Sequence, residues 1–279
     1  MEWIDRLNRA VEYLEEHLEN PKLEEAAKIA CCSPYHFQRM FSLLAGTPLS
    51  EYIRRRKMSR AAADLQNGDK IVDVAFKYGY SSPTAFNRAF QTVHGLPPSA
   101  AKTPGTALKS YPPLRFAITV QGVEEMEYRI EKRDAFRIVG VSAPLQKDME
   151  ENFKCVPELW GRAAVDGTIP RLAALMDGEP KGLLGVCDGL DSSRYYIAVS
   201  SSAPDGEGLE AYTIPAFTWA VFPGQGDSAS AVQALERRVV TEWLPTSGYE
   251  YAEGPDVEVY LGPGCTKFEV WIPVVKAKQ

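Results

Sequence analysis

The sequence has few of the residues that form disulfide frameworks, metal centres or catalytic triads. Its five cysteines are odd in number and scattered, and no CxxC pair occurs, which argues against a disulfide scaffold and a zinc site. Cys31 and Cys32 lie near His36, but no second ligand pair follows, so we expect neither a metal ion nor a cofactor. All three histidines, including His17 and His94, fall in the first hundred residues, and no Ser-His-Asp set is visible. We therefore predict that the protein has no catalytic residues and is not an enzyme.

Long apolar segments are missing as well. No run approaches the roughly 18 to 20 apolar residues of a transmembrane helix, and the acidic, amphipathic start of the chain is unlike a signal peptide. A length of 279 residues with 45% hydrophobic and 24% charged residues is typical of a globular protein with two domains. We expect a cytoplasmic protein that has no membrane partner.

Negative charge outnumbers positive charge, and the positive charge is unevenly placed. The net charge is −6, yet residues 1–110 contain 15 Lys and Arg against 12 Asp and Glu, while the remainder contains 16 against 25. The front part is therefore the better candidate for binding a polyanion, and the acidic back part is a poor one.

The front part contains an internal repeat. Region 71–98 reads as a short apolar helix, a turn at Gly79 and a second helix, and a copy of it occupies 23–48. The matching residues, 49 positions apart, are Pro34 and Pro83, Phe37 and Phe86, Arg39 and Arg88, Phe41 and Phe90, Gly46 and Gly95, and Pro48 and Pro97. The repeat predicts two helix-turn-helix units. Amphipathic helices over 3–19 and 48–67 complete an all-α region.

The second helix of each unit has polar side chains at its N-terminal end, opposite its apolar stripe. The major groove of B-DNA is about 12 Å wide and admits one helix, which reads bases with its N-terminal residues. Gln and Asn pair with adenine, Arg pairs with guanine, and hydroxyls hold phosphates. The run Arg54-Arg55-Arg56-Lys57 on the connecting helix is either a solvated face or a source of phosphate contacts. The residues that we predict to bind DNA are Tyr35, His36, Gln38, Arg39, Ser82, Pro83, Thr84, Asn87 and Arg88.

The spacing of aromatic, Arg, Gly and Pro residues from Tyr78 to Pro97 is similar to a known signature. With it, residues 1 to about 105 resemble the DNA-binding domain of AraC/XylS-family transcription regulators. The resemblance implies two recognition helices, starting at Pro34 and Ser82, that enter successive segments of the major groove. Pro83 stands where many members carry a polar residue, so we expect the first helix to carry more of the base recognition. The family positions that touch bases correspond to Tyr35, Gln38, Arg39, Pro83, Thr84, Asn87 and Arg88.

The residue pattern changes after residues 99–113, which are rich in Pro, Ser, Thr and Gly. We divide the chain into a helical domain at 1–105, a linker and lead-in segment at 106–124, and a second domain at 125–279. Strand-like runs, including 127–145, alternate there with helical segments and repeat once. The predicted fold is multidomain: an all-α N-terminal double helix-turn-helix domain followed by an α+β domain of two tandem β-α-β-β repeats. The seam between the repeats favours a pocket.

A glutamate on the last predicted strand stands among aromatic residues. In the run 267–274, Glu269 and Trp271 fall on one face and Phe268 on the other. A carboxylate in a partly dry site either accepts hydrogen bonds from a ligand or pairs with a cation, because burying it alone is costly.

Three runs near the end of the chain are similar to a second family: WLPTSGYE at 243–250, VEVY at 257–260 and FEVWIPV at 268–274. Through them, the residues from about 125 onward resemble the GyrI-like small-molecule-binding domain. The resemblance implies that Glu269 lies at the floor of an aromatic cleft that accepts bulky, often cationic compounds. The candidate residues for its walls are Trp160, Tyr196, Phe217, Trp219, Tyr260 and Trp271.

Together these features predict a bacterial one-component transcription regulator. Its expected partners are double-stranded promoter DNA, a small apolar or cationic effector and RNA polymerase. Two alternatives remain open at the level of sequence. The second domain either hydrolyses its ligand, with Glu269 and Tyr260 as acid and base, or binds a protein instead of a small molecule.

Overall fold

The computed structural model describes residues 2–117, 125–146, 149–188, 194–226, 229–262 and 264–277, so residues 118–124 of the predicted linker lie outside it. Two compact units divide the described chain. One contains Glu2–Phe37 and Ala45–Ala117, and the other contains Gln38–Leu44 together with the described residues from 125 onward. None of the helices in these ranges has the length and apolar character needed to cross a membrane.

The first part of the chain is helical, as predicted. Its helices are α1 (Glu2–Glu16), α2 (Leu23–Ile29), α3 (Pro34–Ala45), α4 (Leu49–Gln66), α5 (Ile71–Lys77), α6 (Pro83–His94) and α7 (Pro98–Ala101). The pairs α2 with α3 and α5 with α6 are the two helix-turn-helix units. Gly46 and Gly95 follow α3 and α6 at φ of 65° and 79°, a left-handed conformation that favours glycine.

The apolar stripe of α6 determines which of its faces is left outside. Phe86 and Phe90 of α6 are fully buried against Met58 and Leu65 of α4, in a cluster that also contains Val74 of α5. Burying each such side chain contributes about 1.5 to 3 kcal/mol. Rotating α6 about its axis would expose both phenylalanines, so its polar face stays on the opposite side.

An antiparallel sheet with helices forms most of the second unit. Its strands are β1 (Arg129–Arg133), β2 (Phe136–Pro144), β3 (Leu183–Cys187), β4 (Arg194–Ser200), β5 (Glu210–Ile214), β6 (Phe217–Gln225), β7 (Tyr249–Tyr251), β8 (Asp256–Leu261) and β9 (Lys267–Lys276). The helices there are α8 (Met149–Val165), α9 (Thr168–Leu175) and α10 (Ala229–Arg238), and α10 continues into a π-helical turn, Val239–Trp243. The predicted α+β class is confirmed.

The predicted β-α-β-β repeats are corrected in the number of their strands. Region 127–145 contains two strands, β1 and β2, separated only by Asp134 and Ala135, and β5 and β6 are separated likewise by Pro215 and Ala216. Each half therefore begins with two strands before its first helix. The order is β1-β6-β9-β8-β3-β4-β2-β5, with β7 beside β9. Strands β1 and β2 lie near opposite ends of this order, yet the two residues that connect them span only roughly 11 Å. The two ends of the sheet are therefore close together, and the sheet is strongly curled.

The curled sheet has a concave and a convex face. One buried apolar cluster contains Ile214 of β5 and Trp219 of β6, from opposite ends of the order, together with Val257 and Val259 of β8. This cluster therefore lies on the concave face. Alternate residues of a strand point to opposite faces, so the residue between the two valines, Glu258, lies on the convex face. Trp160 of α8 reaches Tyr195 and Tyr260 on that face, and α10 packs against β6 and β9.

Candidate functional site

Helix α6 presents a polar face at its N-terminal end. Pro83 occupies the first helical position, and the Ser82 Oγ accepts a hydrogen bond from a backbone N–H in the first turn at 3.2 Å. Pro83, Thr84 and Arg88 are exposed, and Asn87 is partly exposed. The structure thus brings together a hydroxyl, a guanidinium and an amide whose Oδ1 is buried, and these residue types read bases and phosphates in a major groove.

The matching face of α3 is largely covered. His36 and Gln38 are buried, and Tyr35 is partly exposed. The His36 backbone N–H donates to the Ser33 Oγ at 3.2 Å, and the same hydroxyl lies 3.0 Å from His36 Nδ1. The predicted outward position of these residues is therefore corrected, because His36 and Gln38 are buried and Arg39 pairs with acidic side chains of the chain itself. Their predicted contact with DNA stays a prediction.

The basic run on α4 divides between internal and surface contacts. The Arg56 guanidinium donates to both carboxylate oxygens of Glu15 at 2.6 and 2.7 Å, and Lys57 Nζ donates to the Tyr78 carbonyl at 2.9 Å. Both side chains hold the helical unit together. Arg54 and Arg55 pair with Glu51 at the surface and stay candidates for phosphate contacts.

A carboxylate surrounded by aromatic side chains lies on the convex face of the sheet. Glu258 Oε2 accepts hydrogen bonds from the hydroxyls of Tyr260 at 2.7 Å and Tyr195 at 3.3 Å. Trp160 Nε1 of α8 donates to the Tyr195 hydroxyl at 3.0 Å, and its ring meets that of Tyr260 edge-on at 5.1 Å. Gly185, directly across from Glu258 on β3, leaves room for both groups. A Cβ there would lie 2.4 Å from Tyr195 Oη and 2.9 Å from Glu258 Oε2.

The protonation of this group suits a cationic ligand. Burial and the charge of Glu258 raise the pKa of Tyr195 and Tyr260, so both hydroxyls stay protonated and donate. Burial also raises the pKa of the Glu258 carboxyl, while the charge of Arg39 and the tyrosine hydrogen bonds oppose that rise. A second cation beside the carboxylate would favour its ionised form, and aromatic faces attract such a cation further.

Two further acidic residues adjoin Glu258. Asp256 is two residues earlier on β8 and so shares its face, and Glu236 lies on α10. Arg39 of α3 forms ion pairs with Glu236 and, between Nη1 and Asp256 Oδ2, at 3.2 Å. Burial raises the pKa of Glu236 to about 7, against the opposing charge of Arg39. Glu236, Asp256 and Glu258 are called the acidic cluster below.

Glu269, the glutamate predicted as the floor of the cleft, belongs to the other face. The β8–β9 register pairs Glu269 with Val259, and this places it on the concave side, opposite Glu258. Its two oxygens accept hydrogen bonds from Arg129 Nη1 at 2.7 Å and Nη2 at 3.0 Å, and Trp271 Nε1 donates to it at 2.8 Å. Glu269 thus pairs with a cation of the chain itself, and its predicted contact with an effector stays a prediction.

The predicted aromatic walls separate in the same way. Only Trp160 and Tyr260 lie beside Glu258. The others belong to the concave core or its margin: Tyr196, Phe217, Trp219 and Trp271. Sequence reasoning missed the site residues Tyr195, Gly185, Glu236, Asp256 and Glu258. The alternation in VEVY was the available signal, because it places Glu258 and Tyr260 on one face.

The two parts of the chain match two different families. Residues 26–103 match a family described as a helix-turn-helix domain, and residues 129–274 match a family described as integron-associated effector binding protein. The multiple antibiotic resistance protein MarA of Escherichia coli K12 is 33% identical over 94 residues, which cover 33% of this chain and 74% of MarA.

Other relatives are matched over different shares of their length. The uncharacterized HTH-type transcriptional regulator YbfP of Bacillus subtilis is 33% identical over 99 residues, 35% of this chain and 34% of YbfP. The chain therefore spans about a third of YbfP. A crystal structure from Staphylococcus aureus MU50, of a protein with a proposed role in bacterial transcription regulation, covers 54% of this chain and 99% of its own at 25% identity, with a TM-score of 0.48.

Proposed function

The chain belongs to the family of integron-associated effector binding proteins through residues 129–274 and carries an AraC-type helix-turn-helix domain in 26–103, and from this premise we propose that it is a transcription regulator controlled by an organic cation. The observation that carries the proposal is the Glu258 carboxylate, held by Tyr195 and Tyr260 beside Trp160. In an effector-binding family, that arrangement supports recognition of a positive charge by an anion and aromatic rings.

Promoter DNA is the partner proposed for the helical domain. The accessible face of α6, with Thr84, Asn87 and Arg88, supports direct reading of bases. The names of matched relatives support a role in transcription: YbfP is called an HTH-type transcriptional regulator, and AarP of Providencia stuartii an HTH-type transcriptional activator. Recruitment of RNA polymerase is the further step that we include in the proposal.

The effector proposed for the second domain is a monovalent organic cation with an apolar, aromatic body. A cation against an aromatic face gains about 0.5 to 2 kcal/mol, more when it is desolvated. The rings of Trp160, Tyr195 and Tyr260 supply apolar contact, and Glu258 supplies the opposite charge. A strongly hydrated inorganic cation would gain little from the rings, and an anion would be repelled by the acidic cluster.

The test compares a charged probe with its uncharged isostere. Benzyltrimethylammonium and neopentylbenzene have the same shape, and binding of each to the full chain is measured by calorimetry and by the rise in unfolding temperature. We expect Glu258→Gln to weaken the ammonium probe by about tenfold or more, as loss of one partner of a desolvated charge pair does, and to leave the neutral probe unchanged. Equal losses for both probes would contradict the proposed role of charge.

Glu269→Gln is the matched control. It removes the same charge from the neighbouring strand, where Arg129 rather than a ligand is the partner. We expect this variant to keep the preference for the ammonium probe. If Glu269→Gln abolished that preference and Glu258→Gln kept it, the effector site would lie on the concave face.

A further inference from the structure

The position of Arg39 carries an inference about how the proposed effector site is regulated. Arg39 lies on α3, where the sequence predicts a base-reading residue, yet its guanidinium contacts Glu236 and Asp256. Its side chain is 16% exposed, and those of Glu236 and Asp256 are 9% and 5% exposed. Residues Gln38–Leu44 belong to the same compact unit as the sheet. The arginine therefore pairs with the acidic cluster and is largely shielded from solvent.

The acidic cluster needs a cation. Three carboxylates in a poorly solvated region repel one another, and their ionised forms are costly unless a positive charge compensates them. Asp256 and Glu258 lie on the same face of β8, two residues or about 7 Å apart along the strand. A charge held beside Asp256 therefore acts on Glu258, and a charge held beside Glu258 acts on the position of Arg39.

We propose that Arg39 is an internal counter-ion of the effector site, and that an organic cation bound beside Glu258 displaces it and frees the DNA-reading face of α3. The inference rests on the proposed function. It adds that the effector increases the affinity of the protein for DNA. Arg39 cannot pair with guanine while it pairs with Glu236 and Asp256, so the two uses exclude each other. The effector replaces the charge that Arg39 supplies, which lowers the cost of releasing it.

The proposal requires reciprocal coupling. If the cation increases affinity for DNA by some factor, DNA must increase affinity for the cation by the same factor. Couplings between sites are typically about 5- to 150-fold. We therefore expect benzyltrimethylammonium to tighten DNA binding at least about fivefold, and DNA to tighten binding of the probe equally.

The deciding variant is Glu236→Gln, with Asp256→Asn as a second in case the first fails to fold. The DNA is a duplex obtained by in vitro selection from a random pool with the full chain. Without probe, either folded variant should bind this duplex at least about fivefold more tightly than the unmodified chain, since the partner that holds Arg39 is weakened. Adding benzyltrimethylammonium should then change the DNA affinity of the variant less than it changes that of the unmodified chain.

Two controls separate release of Arg39 from general loss of negative charge. Glu242→Gln removes an exposed carboxylate that pairs with Arg238 in the adjoining π-helical turn, and it should leave DNA affinity unchanged. In an Arg39→Ala background, Glu236→Gln should also have no effect. An equal gain in either control, or no gain in both acidic-cluster variants, would overturn the counter-ion role alone. Failure of the unmodified chain to bind DNA or the probe would overturn the proposed function as well.

Discussion

Glu258 and Glu269 differ in the partner that each carboxylate meets, although both stand among aromatic residues on neighbouring strands. Glu269 receives two hydrogen bonds from the Arg129 guanidinium, so its charge is already compensated within the chain. Within the described part of the chain, the hydrogen bonds that Glu258 receives come from neutral hydroxyls, those of Tyr195 and Tyr260. A neutral donor stabilises a carboxylate without cancelling its charge, and we therefore propose Glu258, rather than Glu269, as the receptor for an external cation.

Gly185 is the residue that makes room for this receptor. We expect Gly185→Ala to weaken binding of benzyltrimethylammonium and to destabilise the protein by about 1 to 3 kcal/mol, as overpacking does. The added Cβ would meet Tyr195 Oη at 2.4 Å and Glu258 Oε2 at 2.9 Å. Calorimetry with the probe and urea unfolding measure the two effects.

Gly161→Ala provides the comparison for that variant. Gly161 lies within α8, and a Cβ there meets nothing within 4 Å. The change should stabilise the helix by about 0.5 to 1 kcal/mol and leave probe binding unaltered. If both substitutions behaved alike, the close approach at Gly185 would have no role in the site.

At the scale of elements, the repeated helices α3 and α6 share a sequence pattern but differ in access. The sequence predicted that α3 carries more of the base recognition, because Pro83 replaces a polar residue in α6. In the structure the polar face of α6 is accessible, while His36 and Gln38 of α3 are buried. We therefore expect α6 to dominate DNA binding in the absence of effector.

Arg88→Ala tests this expectation. If Arg88 reads guanine, the substitution should cost about 1 to 3 kcal/mol in binding to the selected duplex and relax specificity at one base pair. Without probe, Arg39→Ala should cost less than Arg88→Ala, because Arg39 is held in the acidic cluster. Filter binding over a set of single-base operator variants measures both quantities.

Gln91→Ala serves as the reference substitution on the same helix. Gln91 is exposed but lies near the C-terminal end of α6, away from the residues that enter a groove. Its replacement should change affinity by less than about 0.5 kcal/mol. A larger cost for Arg39→Ala than for Arg88→Ala without probe would reverse the proposed order of the two helices.

At the scale of the whole molecule, stability should depend on pH through His94. This buried histidine lies in the helical unit, the compact unit that contains Glu2–Phe37 and Ala45–Ala117. His94 Nε2 lies 3.1 Å from the Met58 carbonyl, and its Nδ1 accepts a hydrogen bond from the Lys109 N–H at 3.2 Å. Burial lowers the pKa of His94 below 6.5, and the charge of Lys109 adds to this effect, while the Met58 hydrogen bond opposes it. The folded state therefore takes up a proton less readily than the unfolded chain.

The sign of the dependence follows from that difference. The stabilisation is fully present above pH 6.5 and is lost as the pH falls from 6.5 towards the lower pKa of the folded state. We expect the free energy of unfolding of the helical unit to decrease over this window. His94→Gln, which keeps a donor for the Met58 carbonyl but does not titrate, should show a shallower decrease in urea unfolding. Identical slopes in the two proteins would exclude His94 as the cause.

Local patterns in the sequence were sufficient for the helices and for the class of the fold. The 49-residue repeat, the apolar stripes and the glycines at 46 and 95 specify two helix-turn-helix units, because these signals act within a few turns of chain. The runs that resemble the GyrI-like family likewise identified the effector-binding class. The same patterns singled out Glu269, a carboxylate among aromatic residues, and its predicted contact with the effector stays a prediction.

Only the tertiary structure decided which glutamate lies on the convex face of the sheet and which cation pairs with each buried carboxylate. Facing depends on strand register and on the curl of the sheet, in which a shift of one residue moves a side chain to the other face. The sequence had no signal for the pairing of β1 with β6, nor for the ion pair between Arg39 and Glu236, which are 197 residues apart. Periodicity reports only the faces of single elements, whereas pairing of distant residues depends on how the elements assemble.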